Sequence, residues 1–331
     1  MKTDQNTPGA AVDHGRTAVG EPALSFGDRL AEQVLRRESQ VVLGLDPDPT
    51  RLWPDMTELM AGTDCESVPA AVRVARAIAR HCELVIDAVA QECAFVKPQL
   101  ACFERFGAAG WEALEQVVLS AQRAGLLVIA DAKRGDIDIT ATAYAEAFLG
   151  ESVTPFGEVP GLGADALTVS PLLGSESLAP YLQVARPRGR GLFVLARNSN
   201  PGAAEFQDLQ AGPIGSLSEY FAQMIARLGV DGVGRHGISD VGAVIGATVP
   251  QKMARLRELM PQTPILVPGI GAQGGAVEDL RPLLEIGPAG AVINSSRGIV
   301  DAYLKTGSDP AQAARREAAS LRERAWSLSS G

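Results

Sequence analysis

Two lysines and three aspartates stand at the ends of three apolar runs. LLVIADAKRGD (126–136) carries Asp131, Lys133 and Asp136, CAFVKPQ (93–99) carries Lys97, and VVLGLDP (41–47) carries Asp46. In an extended strand, side chains two residues apart project to the same side. Asp131 and Lys133 are therefore expected to face one way. Asp136 follows beyond the Gly135 turn, with Thr140 four residues further on. Ammonium and carboxylate groups gathered at one mouth suit charge stabilisation and proton transfer. For any single member, a salt bridge on a solvated rim explains the residue equally well. For the whole set at neighbouring strand ends, burial without a function would cost too much.

A second group sits near the C-terminus. The runs PILVPGIG (264–271) and AVINSSRG (291–298) end in Gly-rich segments that contain Gly271, Gln273 and Arg297. Glycine turns let backbone N–H groups converge on an anion, and an arginine adds a bidentate contact to phosphate oxygens. Ordinary turn chemistry explains one such loop. Two of them, one ending in arginine, favour a phosphate site.

These residues need elements to hold them. Eight Val/Ile/Leu-rich runs fit buried parallel strands: 41–47, 93–99, 126–136, 166–171, 191–202, 241–248, 264–271 and 291–298. Amphipathic helical stretches lie between most of them, at 70–92, 109–124, 138–149, 216–229, 250–260 and 276–286, and a charged, Ala-rich helix follows at 310–326. Strand and helix alternating eight times is the pattern of a (β/α)₈ TIM barrel, whose active sites lie on the loops after the strands. An open doubly wound sheet is the alternative, weakened because no G-x-G-x-x-G follows the first strand. An extra helix over 24–38 is expected to cover the barrel bottom. Residues 1–23 read as a flexible polar extension, and 24–327 as one catalytic domain.

Composition excludes several classes. Of 331 residues, 46% are hydrophobic, enough for a large core, and the net charge of −9 argues against nucleic acids and anionic membranes as partners. A local pocket can still be basic. Cys65, Cys82, Cys93 and Cys102 form no C-x-x-C pair, and of three histidines His14 lies in the extension, so a histidine metal site or a Ser-His-Asp triad is not expected. No run is long enough to span a membrane, and the N-terminus lacks the apolar core of a signal peptide. The expected compartment is the cytoplasm, with reduced cysteines.

DAKRGDI on the third strand, with FVKPQ before it and VPGIGAQGG and INSSRG after it, resembles the orotidine 5′-monophosphate decarboxylase family in its longer, actinobacterial-type branch. The resemblance runs from about residue 25 to 326 and implies cofactor-independent loss of CO₂ from orotidine 5′-monophosphate in a homodimer with shared active sites. It implies that Lys97, Asp131, Lys133 and Asp136 form a charged tetrad around the pyrimidine, with Lys133 stabilising the C6 carbanion and protonating it. It places Asp46 at the ribose hydroxyls, Gln99 near the ribose, Ser199 or Asn198 at the pyrimidine, and Gly271, Gln273 and Arg297 at the phosphate. It brings Thr140 to the ligand across the dimer interface. No motif for pyridoxal phosphate or thiamine is recognisable, and neither cofactor nor metal is expected. Three other readings stay open: a Mg²⁺-dependent phosphate-binding barrel lyase such as a hexulose-phosphate synthase, a Schiff-base aldolase using Lys133 or Lys97, and a barrel that binds a ligand without turnover.

Overall fold

The computed structural model describes residues 24–54, 56, 67–271 and 274–329. Eight parallel strands close into a barrel: β1 (Val41–Leu45), β2 (Phe95–Pro98), β3 (Leu127–Arg134), β4 (Ala166–Val169), β5 (Gly191–Arg197), β6 (Val241–Ile245), β7 (Ile265–Val267) and β8 (Ala291–Ser295), where only the barrel strands are numbered. β1 pairs with both β2 and β8, so the barrel has no free edge. These are the eight runs expected from the sequence. Each strand is shorter than its run because the polar tail leaves the ladder and becomes the loop that follows.

The longer helices are α1 (Phe26–Arg37), α2 (Ala70–Val89), α3 (Gly107–Arg123), α4 (Asp138–Leu149), α5 (Ala179–Ala185), α6 (Leu217–Gly229), α7 (Pro250–Leu259) and α8 (Pro310–Ser329). Local chemistry sets their starts. The Ser216 N–H donates to the Glu219 carboxylate in a capping box that opens α6. Pro250 opens α7, where its missing N–H costs nothing. The helix expected over 276–286 is instead a 3₁₀ segment, Glu278–Leu284, with Pro282 inside it. Proline there removes an amide and its ring crowds the preceding turn, so an α-helix cannot run through. Between α4 and β4 an antiparallel hairpin, Glu151–Thr154 with Gly157–Pro160, was not anticipated. Its turn uses Gly157 at φ 117. No described helix is long and apolar enough to cross a membrane.

Strand alternation sorts the core into two shells. Residues such as Leu43, Val96, Val128, Leu167, Val194, Ala243, Val267 and Ile293 pack outward against the helices. Val42, Phe95, Ile129, Ala166, Phe193, Val244, Leu266 and Val292, one from each strand, fill the interior. α1 closes the bottom, as its position before β1 suggested. Its Phe26 and Leu30 are fully buried in the interior cluster, and Phe26 meets Phe193 edge-on with centroids 5.9 Å apart. Gly191 makes room for this plug, since a Cβ there would lie 2.3 Å from the Phe26 ring. Gln33 fastens α1 by donating to the carbonyls of Ala94 and Gly125, each at 2.8 Å.

Removing a buried phenylalanine costs about 3–5 kcal/mol, through lost burial and the cavity left behind. Phe26→Ala should therefore lower the denaturant midpoint accordingly while leaving kcat near the parent value, because the plug lies at the end of the barrel away from the strand C-termini. An equal loss of activity at temperatures where the variant stays folded would contradict this separation.

Candidate active site

Two residues beyond four of the interior core positions, the same inward register turns polar. Phe95 is followed by Lys97 and Gln99, Ile129 by Asp131 and Lys133, Ala166 by Thr168, and Val292 by Asn294 and Ser296. All seven of these polar residues line one cavity of about 310 Å³ at the C-terminal mouth of the barrel, together with Asp46, Asn198, Ser199 and Arg297. Leu195, Val244, Leu266 and Pro268 supply its apolar wall. Gly44, the inward position of β1, has no side chain because a Cβ there would fall 1.9 Å from Ser296 Oγ.

The Asp131 carboxylate is the hub. Oδ2 accepts from Lys97 Nζ at 2.6 Å and Gln99 Nε2 at 3.2 Å; Oδ1 accepts from Lys133 Nζ at 2.6 Å and Thr168 Oγ1 at 3.0 Å. Four donors use the full accepting capacity of a carboxylate. The side chains of Lys97 and Asp131 are only 6% and 8% exposed, whereas that of Lys133 is 46% exposed. Burial alone would push the Asp131 carboxyl up, but the Lys97 and Lys133 ammonium groups overcome it and hold the acid well below its ordinary 3.8. Burial likewise opposes the charge on Lys97, and the Asp131 and Asp46 carboxylates overcome it, so its pKa rises above 10.5. Both groups are ionised near neutral pH.

Asp131 and Lys133 meet as expected, but not through a regular strand. The β3–β4 register slips between Ala130 and Arg134, and Lys133 adopts a left-handed φ of 50°. The convergence depends on this bulge as much as on the two-residue spacing.

Asn198 and Ser199 follow β5 in a loop tied down at several points. Arg197 makes a bidentate pair with Asp208 at 2.9 and 3.1 Å, Lys252 joins the same carboxylate at 2.8 Å, and Thr248 Oγ1 donates to the Ser199 carbonyl at 3.0 Å. Arg297 is exposed at the mouth, just past β8. Gly271, at φ 71, sits one residue beyond the lining residues Gly269 and Ile270. Gln273 lies outside the described residues. Asp136 and Thr140 do not line the cavity. The Asp136 carboxylate accepts from the Ile137 N–H at 2.9 Å, and Thr140 is exposed. Thr168, Asn294 and Ser296 were not singled out from the sequence. Their signal was a polar residue in register with an inward strand position.

Among the described residues no cluster of His, Cys, Asp and Glu has a metal-binding arrangement. Cys82 and Cys93 are buried free thiols and Cys102 a half-buried one. Cys65 lies outside the described residues.

Comparison with known proteins matches residues 39–316 to the orotidine 5′-phosphate decarboxylase / HUMPS family. An orotidine 5′-phosphate decarboxylase of Rhodopirellula baltica is 42% identical over 280 residues, 85% of this chain and 89% of the relative. The crystal structure of a Streptomyces avermitilis protein described as a putative orotidine 5′-phosphate decarboxylase superposes with a TM-score of 0.74 at 34% identity, over 96% of this chain and all of that one. A Leishmania donovani UMP synthase gives a TM-score of 0.67 at 33% identity over 92% of this chain, which spans 57% of that longer protein.

The folded-state pKa of Asp131 lies below its ordinary value, so its contribution to stability is complete above about pH 4 and is lost as the pH falls through the depressed value. Removing Lys97 leaves the burial effect less opposed, which raises that pKa. Lys97→Ala should therefore lose about 3–5 kcal/mol at pH 7, and its stability should start to fall at a higher pH than in the parent. Chemical denaturation from pH 7 to pH 4 reads both effects. Matching curves for variant and parent would show that Lys97 is not what keeps Asp131 charged.

Proposed function

The chain belongs to the orotidine 5′-phosphate decarboxylase / HUMPS family, and from that premise we propose that it decarboxylates orotidine 5′-monophosphate to uridine 5′-monophosphate, a step of pyrimidine biosynthesis. The observation that carries this reading is the pair of ammonium groups around one buried, ionised aspartate at the floor of the cavity. In the reaction the C6–carboxylate bond breaks, CO₂ leaves, and the electron pair stays on C6 in the plane of the ring. The ring's π-system absorbs that pair poorly, so a fixed positive charge beside C6 is the available stabiliser. Lys133 fits this role: its ammonium is held at 2.6 Å by Asp131, and its side chain is partly open to the cavity. The proton on Nζ then passes to C6, and the amine regains one from water. Lys97 orients Asp131 and balances its charge.

The remaining assignments are part of the same proposal. Asp46 and Gln99 take the ribose, Asn198 and Ser199 read the pyrimidine, and Arg297, Gly271 and Gln273 take the phosphate. Residues 24–327 act as one catalytic domain, and free thiols at Cys82, Cys93 and Cys102 suit a cytoplasmic setting. Asp136 and Thr140 act in the site of a second copy of the chain. Their loop supports this: Ile137 and Ile139 are exposed beside them, as are Leu172 and Leu173 on the next βα loop. The two loops touch, since a Cβ on Gly135 would lie 3.3 Å from Ser170. Adjacent exposed apolar side chains at the barrel mouth suit a symmetric interface that would bring Asp136 to the partner.

An absorbance assay with orotidine 5′-monophosphate tests the activity. Turnover unaffected by chelator is expected; turnover that chelator abolishes would favour a metal-dependent lyase. Lys133→Ala should leave the fold intact and lower kcat by several powers of ten, on the order of 5 kcal/mol or more. A variant keeping a tenth of the parent kcat would remove Lys133 from the mechanism.

The shared site has its own test. Lys133→Ala and Asp136→Ala, each inactive alone, are co-expressed. In a mixed dimer one site collects both changes and the other neither, so with random pairing about a quarter of all sites are intact. Activity near that level is expected. Mixed dimers as inactive as either parent would place Asp136 in the site of its own chain.

A further inference from the structure

Thr168 lies inside β4, a strand that brings no charged group to the cavity. It lines the cavity and is 1% exposed. Its hydroxyl has one hydrogen to give and lone pairs to receive, and both are used. The backbone N–H of Lys133 donates to Oγ1 at 2.9 Å, and the hydroxyl donates to Asp131 Oδ1 at 3.0 Å. The directions follow from the chemistry, because an amide N–H can only donate and a carboxylate can only accept. One side chain thus grips the backbone of Lys133 and the carboxylate that holds its ammonium.

The grip falls where β3 departs from a regular strand. Ala130 is in register with Leu167, and the next matched pair is Arg134 with Val169, so β3 spends more residues than β4 between the two pairs. Within that bulge Lys133 has its left-handed φ of 50°, a conformation disfavoured for a residue with a Cβ unless its surroundings impose it. Its amide is satisfied by a side chain. A strand residue of the same shape without a hydroxyl would leave that amide unmet, and Asp131 Oδ1 would keep Lys133 alone.

We propose that Thr168 is a positioning residue for the decarboxylation. Its hydroxyl pins the β3 bulge and so fixes Lys133 Nζ and Asp131 Oδ1 relative to each other. It undergoes no bond change itself. The proposal rests on the role given to Lys133 above. It also accounts for a threonine in a register whose next position towards the barrel bottom is Ala166, within the apolar interior.

Thr168→Val keeps the shape and removes the hydroxyl; Thr168→Ser keeps the hydroxyl. Steady-state kinetics with orotidine 5′-monophosphate and thermal unfolding are measured for both and for the parent. Misplacing a catalytic group by about an ångström costs on the order of a hundredfold in rate. The expected result is a fall of that size in kcat for the valine variant with KM changed by no more than a few fold, and recovery to within a few fold of the parent for the serine variant. In a Lys133→Ala background the valine change should have little further effect, since it acts through Lys133. A lowered unfolding temperature with unchanged kcat would make Thr168 structural only and overturn the proposal. A rise in KM that exceeds the fall in kcat would make it a substrate contact and do the same. If the valine variant does not fold, Thr168→Ala is read in its place, and failure of every hydroxyl-free variant to fold counts as the structural outcome. A parent that does not turn over the substrate, or a Lys133→Ala variant that does so readily, would instead unseat the underlying function.

Discussion

A carboxylate buried at the centre of a barrel mouth stays ionised only if cations stay beside it, and the site is organised around that requirement at Asp131. The effective penalty for burying one unpaired charge is several kcal/mol. Lys97 and Lys133 at 2.6 Å meet it from opposite oxygens, and Gln99 and Thr168 take the remaining lone pairs. The dependence is mutual, because buried Lys97 keeps its charge only through the carboxylates of Asp131 and Asp46. With Asp46 beside Lys97, two carboxylates balance the two ammonium groups, and Lys133 is the more exposed of the two cations. A chain with a net charge of −9 can still present a cationic spot to an anionic ligand.

The barrel supplies this arrangement through its period of two. Inward positions near the bottom carry Phe95, Ile129, Ala166 and Val292, and the next inward positions carry Lys97, Asp131, Thr168 and Asn294. The polar cluster thus rests on a floor of packed side chains sealed from below by α1. A charged side chain on a β-strand above a solid core has little freedom to swing away from its partner, as a preorganised electrostatic site requires. Stability and chemistry lie at opposite ends of the same strands.

Much of this was legible from residue types and spacing. Eight apolar runs with polar ends became eight strands with a polar mouth, and Lys97, Asp131 and Lys133 do meet. The unread parts have specific causes. The left-handed turn at Lys133 depends on pairing with β4, which local sequence does not carry. Thr168 was missed because threonine is an ordinary strand residue, and only the bulge opposite makes its hydroxyl matter. The hairpin at 151–160 was passed over because its strands, ESVT and GEVP, carry no apolar run and stay largely exposed. Pro282 announced a break that the apolar periodicity of 276–286 masked. The resemblance assigns Asp136 to the tetrad and Thr140 to the ligand across a dimer interface, and within one chain neither lines the cavity.

The cavity has two charged ends on different strands, the Asp131 cluster on β2 and β3 and Arg297 past β8. In the proposed reading, a phosphate at Arg297 would sit at a different strand end from Lys133, and its binding energy would reach the chemistry as orientation. That transfer requires the wall between the ends to be stiff. The Ser199 segment is held in this way by the Arg197–Asp208–Lys252 ion cluster, by Thr248 on its carbonyl, and by Gly246, where a Cβ would lie 2.5 Å from Ser199 Cα. A loop gripped from three sides makes a poor lid and a good ruler. In that reading the spacing between anion site and reacting carbon would be set by the barrel before the ligand arrives, with little of the binding energy at the phosphate consumed in ordering the Ser199 segment.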